Sequence, residues 1–396
     1  MDGQDEPALA GAFFLGPPLP ILGQLYVLAE FNGEVRLVVL NARTGKLEWA
    51  QQIAHLDNRI IQIDSMRRLL GATPSFSDGV LVCPTSAGGV VAVDAATRSL
   101  LWGFQYGAAT PETRQFGWRG AIPMPVRSFG SRWLDASATI ADGRVVITPA
   151  ESDELYCLDL LTGKPAWPAV RRDDHLFVGC VHDRKIVLVG KNKLTAIDLE
   201  SGKPAWSKSV ELPDGAITSG RGFFRDGSYF VPTTASQLVQ VDVREGRIAA
   251  QIATDGVLGN LICYRDQVLS HGSQHLAAYF SIPSLRAEVA KRLDANRQDP
   301  WALARLAELQ LHDGKRNEGL VTLREAQRLD PEDDAIRVLL VRTLLDLLRT
   351  DYASHRELSK ELEGLIDQPG QRVEFLRATA AGLPGSIWRL TLTRAL

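Results

Sequence analysis

The sequence predicts a mainly β fold built from repeated four-stranded units and followed by an α-helical region. A motif recurs in which an apolar strand is followed by Asp or Asn, with a turn containing Gly four residues on and Trp eight residues on. The anchor positions 41, 94, 159, 198 and 242 are separated by 53, 65, 39 and 44 residues. The shorter gaps match the roughly 40–45 residues of a four-stranded repeat. From Pro283 onward, apolar residues recur instead at helical spacing.

One copy of the motif, Leu155–Trp167, shows what each position is expected to do. Alternating residues predict a strand that ends at Asp159, whose carboxylate is expected to accept backbone N–H bonds from the turn it opens. Gly163 is expected to supply the positive φ that the turn needs. Because Trp167 lies at a fixed distance from the turn, we expect its indole to fill the seam to a neighbouring unit, where its loss costs about 3–5 kcal/mol.

The motif residues are predicted to have a structural docking role, because residues repeated in every unit build the unit and do not mark one active site. A degenerate copy, Val90–Trp102, keeps Asp and Trp but not Gly, and the copy Leu238–Ala250 lacks the Trp. The docking residues are Asn41, Gly45 and Trp49; Asp94 and Trp102; Asp159, Gly163 and Trp167; Asp198, Gly202 and Trp206; and Asp242 and Gly246.

This pattern resembles the tryptophan-docking motif of the PQQ-like β-propellers, which include quinoprotein alcohol dehydrogenases and the non-catalytic BamB-type propellers of bacterial envelopes. The resemblance covers roughly Phe13 to Ile282 and implies a β-propeller of four-stranded blades. About six blades are recognisable, and the sixth, from Val257, stops after three strands. Either residues 6–15 lend that blade its outer strand, or the chain lacks blades of a longer parent of the large planctomycete type, which the segment Gly11–Pro20 resembles.

The sequence after the strands predicts a second, all-α domain, which gives residues 1–282 and 283–396 as the two domains. Within it, Pro300–Asp333 resembles one tetratricopeptide repeat, and a degenerate second copy starts at Asp334. A lone repeat of this kind cannot bury its own apolar face. The helices are therefore expected to pack on one another, on the propeller or on a partner.

Composition is ordinary for a soluble globular protein. The chain has 396 residues, a formal net charge of −3 and a hydrophobic fraction of 45%, which gives no sign of nucleic-acid or membrane-surface binding. It has no run of about twenty apolar residues, and its acidic N-terminus lacks the features of a signal peptide. The four cysteines are far apart and are expected to be buried free thiols: Cys83, Cys157, Cys180 and Cys263.

Other polar groups are weaker candidates for chemistry. The stretch His271–His275 has two histidines for a metal, but a turn leaves their rings poorly placed. Asp173–His175 is interpreted as a polar loop, and Gly220–Gly222 is too short for a phosphate cradle. Arg67 and Arg68 are expected to form a solvated face.

A long insertion, Gly107–Leu134, carries Trp, Phe and Arg side chains. It is either a loop that packs on the propeller or a binding loop, since such residues are favoured at binding hot spots.

The resemblance implies the fold but not the catalysis. Quinoprotein dehydrogenases hold PQQ and calcium in a central channel beneath an adjacent-cysteine disulfide, and this sequence has no adjacent cysteines. No metal or cofactor is therefore expected. The predicted function is a non-catalytic scaffold that binds protein partners, in envelope assembly outside the cytoplasm. The alternative is a PQQ-dependent dehydrogenase, or a propeller that binds a small ligand in the channel.

Overall fold

The computed structural model describes residues 6–56, 61, 64–107, 132–254, 256–273, 276–350 and 352–381. Contacts divide the chain into two compact units. The first contains Met1–Cys263 and Leu269–Ala277, and the second contains Tyr264–Val268 and Ala278–Leu396.

The strands form six successive sheets, and neighbouring strands in sheets 1 to 5 are antiparallel. Sheet 1 contains β1 (Phe13–Phe14), β2 (Leu19–Ile21), β3 (Gln24–Phe31), β4 (Glu34–Asn41) and β5 (Leu47–His55). Sheet 2 contains β6 (Ser75–Ser77), β7 (Val80–Pro84), β8 (Gly89–Asp94) and β9 (Leu100–Gln105). Sheet 3 contains β10 (Thr139–Ala141), β11 (Arg144–Ile147), β12 (Glu154–Asp159) and β13 (Val170–Arg171).

The remaining sheets follow the same chain order. Sheet 4 contains β14 (His175–His182), β15 (Lys185–Gly190), β16 (Lys193–Asp198) and β17 (Val210–Glu211). Sheet 5 contains β18 (Phe223–Arg225), β19 (Ser228–Thr233), β20 (Gln237–Asp242) and β21 (Arg247–Ala253). Sheet 6 contains β22 (Asn260–Tyr264), β23 (Gln267–His271) and β24 (Leu276–Phe280). Short 3-10 helices lie at Pro7–Leu9 and Pro213–Gly215.

Sheets 2 to 5 have the four strands that the sequence predicts, and sheet 6 has three. Sheet 1 differs because it gains a strand, β2, that pairs with β3. Pro20 weakens the strand signal there, yet it is tolerated because β2 lies at an edge. Leu22 and Gly23 both adopt positive φ and form the tight turn between the two strands. The structure thus shows repeated four-stranded sheets, and their closure into a propeller stays a prediction.

The apolar core of the first unit lies in the seams between successive sheets. Separate clusters join sheets 1 and 2, sheets 2 and 3, sheets 3 and 4, and sheets 4 and 5. Central strands are therefore covered on both faces, and β7 and β15 are buried at nearly every residue. This explains why their sequences are almost continuously apolar and do not alternate. The other face of sheet 1 packs against Leu9 and Ala12.

The prediction of a solvated arginine pair is wrong for Arg67. Helix α1 (Ser65–Leu69) carries this residue, and its side chain is 6% exposed. Its Nε lies 3.2 Å from Oε2 of Glu30, which is also buried, and its Nη1 lies 3.4 Å from Oδ2 of Asp64. Burial raises the pKa of Glu30, while the facing guanidinium opposes that rise. An ion pair of this kind is costly to break on one side only, because the other charge stays buried.

Helices make up most of the described second unit. They are α2 (Ile282–Ala295), α3 (Pro300–His312), α4 (Arg316–Leu329), α5 (Asp334–Thr350), α6 (Tyr352–His355), α7 (Leu358–Leu365) and α8 (Pro369–Ala381). Ser281 and Asp299 cap α2 and α3, since each side chain accepts a bond from a backbone N–H of the first turn. None of the helices within the described ranges is both long and apolar enough to cross a membrane.

The helices share one apolar cluster, drawn from α3, α4, α5, α7 and α8. Helices α3 and α4 pack closely, because a Cβ added at Gly319 would lie 2.8 Å from Leu311 Cγ and 3.2 Å from the Ala307 carbonyl oxygen. An ion pair between Arg324 and Glu361 links α4 to α7. The helical region follows the strands as predicted, and its identity as a tetratricopeptide repeat stays a prediction.

Candidate functional site: the docking turns between sheets

Each copy of the sequence motif forms a turn closed by the side chain of its Asp or Asn, and we call this turn a docking turn. The five docking turns are Asn41–Gly45, Asp94–Arg98, Asp159–Gly163, Asp198–Gly202 and Asp242–Gly246.

In the third docking turn, Oδ1 of Asp159 accepts the backbone N–H of Leu161 at 3.2 Å and that of Thr162 at 3.0 Å. It also accepts the Thr162 hydroxyl at 2.8 Å. Hydrogen bonds from Thr162 lower the pKa of Asp159, so the ionised carboxylate is the form that holds the turn.

The other docking turns are built the same way. The Oδ1 atom accepts backbone N–H groups two or three residues on, at Arg43 and Thr44, Ala96 and Thr97, Ser201, and Arg244 and Glu245. The fifth residue of each turn has positive φ: +70° at Gly45, +59° at Arg98, +66° at Gly163, +68° at Gly202 and +64° at Gly246. The turn geometry therefore follows from local sequence alone.

Three tryptophans reach from one sheet to the docking turn of the next sheet. The indole Nε1 of Trp102 donates to the Leu160 carbonyl at 2.8 Å, and that of Trp167 donates to the Leu199 carbonyl at 3.0 Å. That of Trp206 donates to the Val243 carbonyl at 2.9 Å. Each acceptor is the residue directly after the turn's Asp, and all three indoles are at least nine-tenths buried. The contact thus satisfies the one polar group of a buried ring.

Glycine in these turns also makes room for the ring. A Cβ added at Gly163 would lie 2.5 Å from Cδ2 of Trp102, and one added at Gly202 would lie 2.6 Å from Cδ2 of Trp167. At Gly246 the nearest atom of Trp206 would be 2.5 Å away. Such distances are shorter than van der Waals contact, so any side chain there would displace the indole.

The second docking turn is built differently. Arg98 replaces glycine, and its guanidinium lies 5.3 Å from the ring centroid of Trp49. This distance is within the range of a cation–π contact. Trp49 is only half-buried. Here the arginine covers the ring, whereas a glycine would leave room for the ring to descend onto the turn.

The fifth docking turn receives Trp206, but its own copy has Ala250 where Trp would reach on to sheet 6. Polar and backbone contacts join sheets 5 and 6 instead. Ser219 donates to the Leu258 carbonyl at 2.7 Å, and the Leu261 N–H donates to the Arg221 carbonyl at 2.8 Å. A Cβ at Gly220 would collide with the backbone of Gly259 at 2.5 Å. The loss of Trp is thus accompanied by close backbone contact.

A network of polar contacts around Asp135 joins sheets 3, 4 and 5. The sequence does not predict this network. Oδ2 of Asp135 accepts the Thr148 hydroxyl at 2.6 Å and the Val178 N–H at 2.9 Å. Its Oδ1 accepts from Nη1 of Arg221 at 2.8 Å, and that guanidinium lies 4.5 Å from the Phe177 ring centroid. Thus Gly220–Gly222 frames a structural arginine. Asp135 and Arg221 are 86 residues apart, so no local spacing signals the pair.

His175 is also used structurally. It is 6% exposed, its Nδ1 lies 2.8 Å from the Arg172 carbonyl, and its Nε2 lies 2.8 Å from the Thr195 hydroxyl. Its ring stacks near Trp133, with centroids 6.5 Å apart. Burial lowers the pKa of His175, which favours the neutral imidazole.

The other candidate groups are scattered. His275, the second member of the predicted histidine pair, lies outside the described residues, as does most of the insertion, 108–131. Of the described cysteines, Cys83 and Cys157 are buried, whereas Cys180 and Cys263 are half-buried. Burial raises the pKa of the thiols of Cys83, Cys157 and Cys180 to about 12. Such thiols stay protonated and are poor nucleophiles.

The resemblance implies a PQQ site that lies beneath an adjacent-cysteine disulfide. No two cysteines are adjacent, so the disulfide that covers the cofactor has no counterpart. Within the described ranges, no three His, Cys, Asp or Glu side chains are grouped to hold a metal ion.

The fold and its docking turns define a PQQ-like repeat protein, in which an indole from one sheet packs on the Asp–Gly turn of the next. The family model described as outer membrane protein assembly factor BamB matches residues 4–115 and 86–326. The chain belongs to this family, which confirms the resemblance to BamB-type proteins. The curated proteins contain no match to the sequence.

Several solved structures are similar to the chain. BamB from Moraxella catarrhalis is 14% identical over 68% of this chain and 75% of that chain, with a TM-score of 0.43. The computationally designed Ika8 protein is 12% identical over 67% and 70%, with a TM-score of 0.45. A europium-containing methanol dehydrogenase is 11% identical over 61% and 52%, with a TM-score of 0.38.

Proposed function

We propose that this protein is a non-catalytic scaffold that binds other proteins during assembly of a bacterial envelope, outside the cytoplasm. Its strand region forms an incomplete propeller, and its helices form a tetratricopeptide-like extension. Membership in the BamB family supports the assembly role, since that family is described by an outer membrane assembly factor. The resemblance also includes quinoprotein dehydrogenases. The choice between a scaffold and an enzyme therefore depends on how the residues of this chain are used.

The observation that carries the proposal is how the repeated polar residues are used. Asp94, Asp159 and Asp198 direct their carboxylates at backbone N–H groups of their own turns. The indoles of Trp102 and Trp167 donate to carbonyls of the following sheet. Because these groups are engaged in holding sheets together, they are not available for proton transfer or for binding a substrate. The repeats are therefore expected to contact a second molecule through their exposed surface.

Apolar side chains are exposed in sheet 6 and just before it. Val257, Ile262 and Leu276 are 49%, 59% and 67% exposed. Large apolar side chains that form an exposed patch are typical of protein interaction surfaces, and we propose that these three form such a patch. We therefore place the protein partner at sheet 6.

A cofactor-binding test separates the scaffold from a quinone enzyme. The purified chain is incubated with PQQ and calcium, desalted, and examined for a retained quinone spectrum and for dye reduction with alcohols and sugars. We expect neither. Tight, stoichiometric PQQ binding would contradict the scaffold role.

A photo-crosslinking test addresses the partner directly. A photoreactive amino acid is placed at Ile262 or Leu276, with the exposed residue Lys208 as the matched control. In the native envelope we expect one discrete crosslinked species from the two apolar positions and none from Lys208. Equal crosslinking from all three positions would indicate random encounter and would contradict a binding surface at sheet 6.

A further inference from the structure

The first docking turn, Asn41–Gly45, has the geometry of the turns that receive an indole, yet no described tryptophan lies on it. Its Asn41 Oδ1 accepts the N–H groups of Arg43 and Thr44, both at 3.1 Å. Gly45 has φ +70°, and a Cβ added there would have no atom of the described residues within 4 Å. At Gly163, by contrast, the same added atom would lie 2.5 Å from Cδ2 of Trp102.

Burial shows the same difference. In three turns, the residue whose carbonyl receives the indole N–H is almost completely buried: Leu160 at 2%, Leu199 at 0% and Val243 at 0% exposed. Its counterpart in the first turn, Ala42, is exposed. The first turn therefore has both parts of the indole site, the glycine and the carbonyl, open at the surface of sheet 1.

The remainder of that face of sheet 1 is covered. Leu9 and Ala12 pack there with Val27 and Val38, and a carboxylate oxygen of Glu6 accepts the Leu47 N–H at 3.3 Å. Among the described residues, no atom lies within 4 Å of a Cβ added at Gly45. Within the part of the chain that the structure describes, the docking turn is therefore open beside a covered apolar face.

A second copy of the chain has no suitable tryptophan among its described residues. Trp102, Trp167 and Trp206 are buried in their own seams, and Trp133 is 1% exposed. Trp49 is engaged with Arg98 of the next sheet. The remaining described tryptophan, Trp301, lies on helix α3 beside Arg292 and Phe280. None of them can leave its place without breaking a packed contact.

We propose that the docking turn Asn41–Gly45 is a binding site for the tryptophan-ended hairpin of a further PQQ-like repeat, carried by a different polypeptide. Its indole packs on Gly45 and donates to the Ala42 carbonyl, as Trp167 does at Gly202 and Leu199. The inference rests on a contact that this chain makes three times internally. This inference does not depend on the scaffold role, because neither outcome of the PQQ-binding test changes it.

The test uses a hairpin taken from this chain. A synthetic peptide of residues 185–206 contains strands β15 and β16 and the arm that ends in Trp206. This tryptophan is replaced by 5-fluorotryptophan, and the fluorine resonance is followed by NMR as the full-length chain is added. We expect a saturable shift. Unlabelled peptide reverses the shift, and the unlabelled Trp206→Ala peptide does not.

Matched variants locate the binding. Gly45→Asn keeps the left-handed turn, because Asn tolerates positive φ, but its side chain occupies the place of the ring. Gly215→Asn makes the same change at another open glycine, with φ +68° and nothing within 4 Å. We expect Gly45→Asn to weaken binding by about tenfold or more and Gly215→Asn to leave it unchanged. Gly45→Asp is a second blocked variant, and thermal melts verify that all variants fold.

Three results would overturn the proposal: no shift up to the solubility limit of the peptide, a shift that survives in both Gly45 variants, or equal competition by the Trp206→Ala peptide.

Discussion

The docking turns that contain Gly202 and Arg98 both contact a tryptophan of the preceding sheet, but they do so through different residues. At Gly202 the indole of Trp167 lies directly on the turn and donates to the Leu199 carbonyl. At Arg98 the arginine itself covers Trp49, which stays half-buried. Both residues adopt positive φ, +68° and +59°. The comparison separates two demands that glycine usually meets together: a left-handed backbone, which arginine tolerates here, and space for a ring, which it does not leave.

Removing the ring should have the largest effect. We expect Trp167→Ala to lower the free energy of unfolding by about 3–5 kcal/mol, because it leaves a cavity in the seam of sheets 3 and 4. Trp49→Ala should cost clearly less, since that ring is partly solvated. Urea denaturation of the two variants measures both values. If they cost the same, the distinction between the two kinds of docking turn fails.

Filling the space under the ring should have the next largest effect. We expect Gly202→Ala to cost about 2–4 kcal/mol, from left-handed strain plus the clash with Trp167. Gly45→Ala has the same strain without a clash and should cost about 1 kcal/mol. The difference between the two, again from urea denaturation, isolates the space requirement. A difference of zero would show that φ alone explains the glycine.

The seam between sheets 3 and 4 also contains His175. The pH dependence of the free energy of unfolding therefore shows whether His175 stabilises this seam together with the docking turn. Burial lowers the pKa of His175 in the folded state, so the unfolded state binds the proton more readily. The stabilisation is therefore complete above the unfolded pKa of about 6.5 and is lost as the pH falls below it. The slope is at most about 1.4 kcal/mol per pH unit for one proton.

We expect His175→Gln to flatten stability between about pH 7.5 and pH 5. The turn carboxylates Asp159 and Asp198 have lowered pKa values, so they titrate below this window and do not contribute. Denaturation at several pH values compares the two proteins. An unchanged slope would mean that His175 is not the group responsible.

Changing Arg98 should have the smallest effect. Arg98→Ala keeps the left-handed strain but loses the cation–π contact, which costs about 0.5–1 kcal/mol. Arg98→Gly loses the contact but also relieves the strain, so its stability should stay close to that of the native chain. Thermal melts of the pair measure the difference. If Arg98→Gly is the less stable of the two, the arginine does more than cover Trp49.

The repeated units were predictable because their signals are local. Asp159 and Gly163 are four residues apart, and the hydrogen bonds and φ that they require are satisfied within one turn. The sequence does not predict strand β2, because Pro20 weakens the strand pattern there. Proline is tolerated in β2 because this strand lies at an edge of the sheet. The sequence does not predict the burial of Arg67, because its partner, Glu30, lies on strand β3, 37 residues away.

By itself, the sequence determined the turns, the strand order within each hairpin and the change from strands to helices, because neighbouring residues set backbone conformation. Tertiary structure decided which carbonyl each indole reaches and that Asp135 and Arg221 meet across 86 residues. It also decided that none of the described residues covers the turn at Gly45. These outcomes depend on how whole sheets lie against one another. Packing of that kind joins residues whose separation along the chain carries no periodic signal.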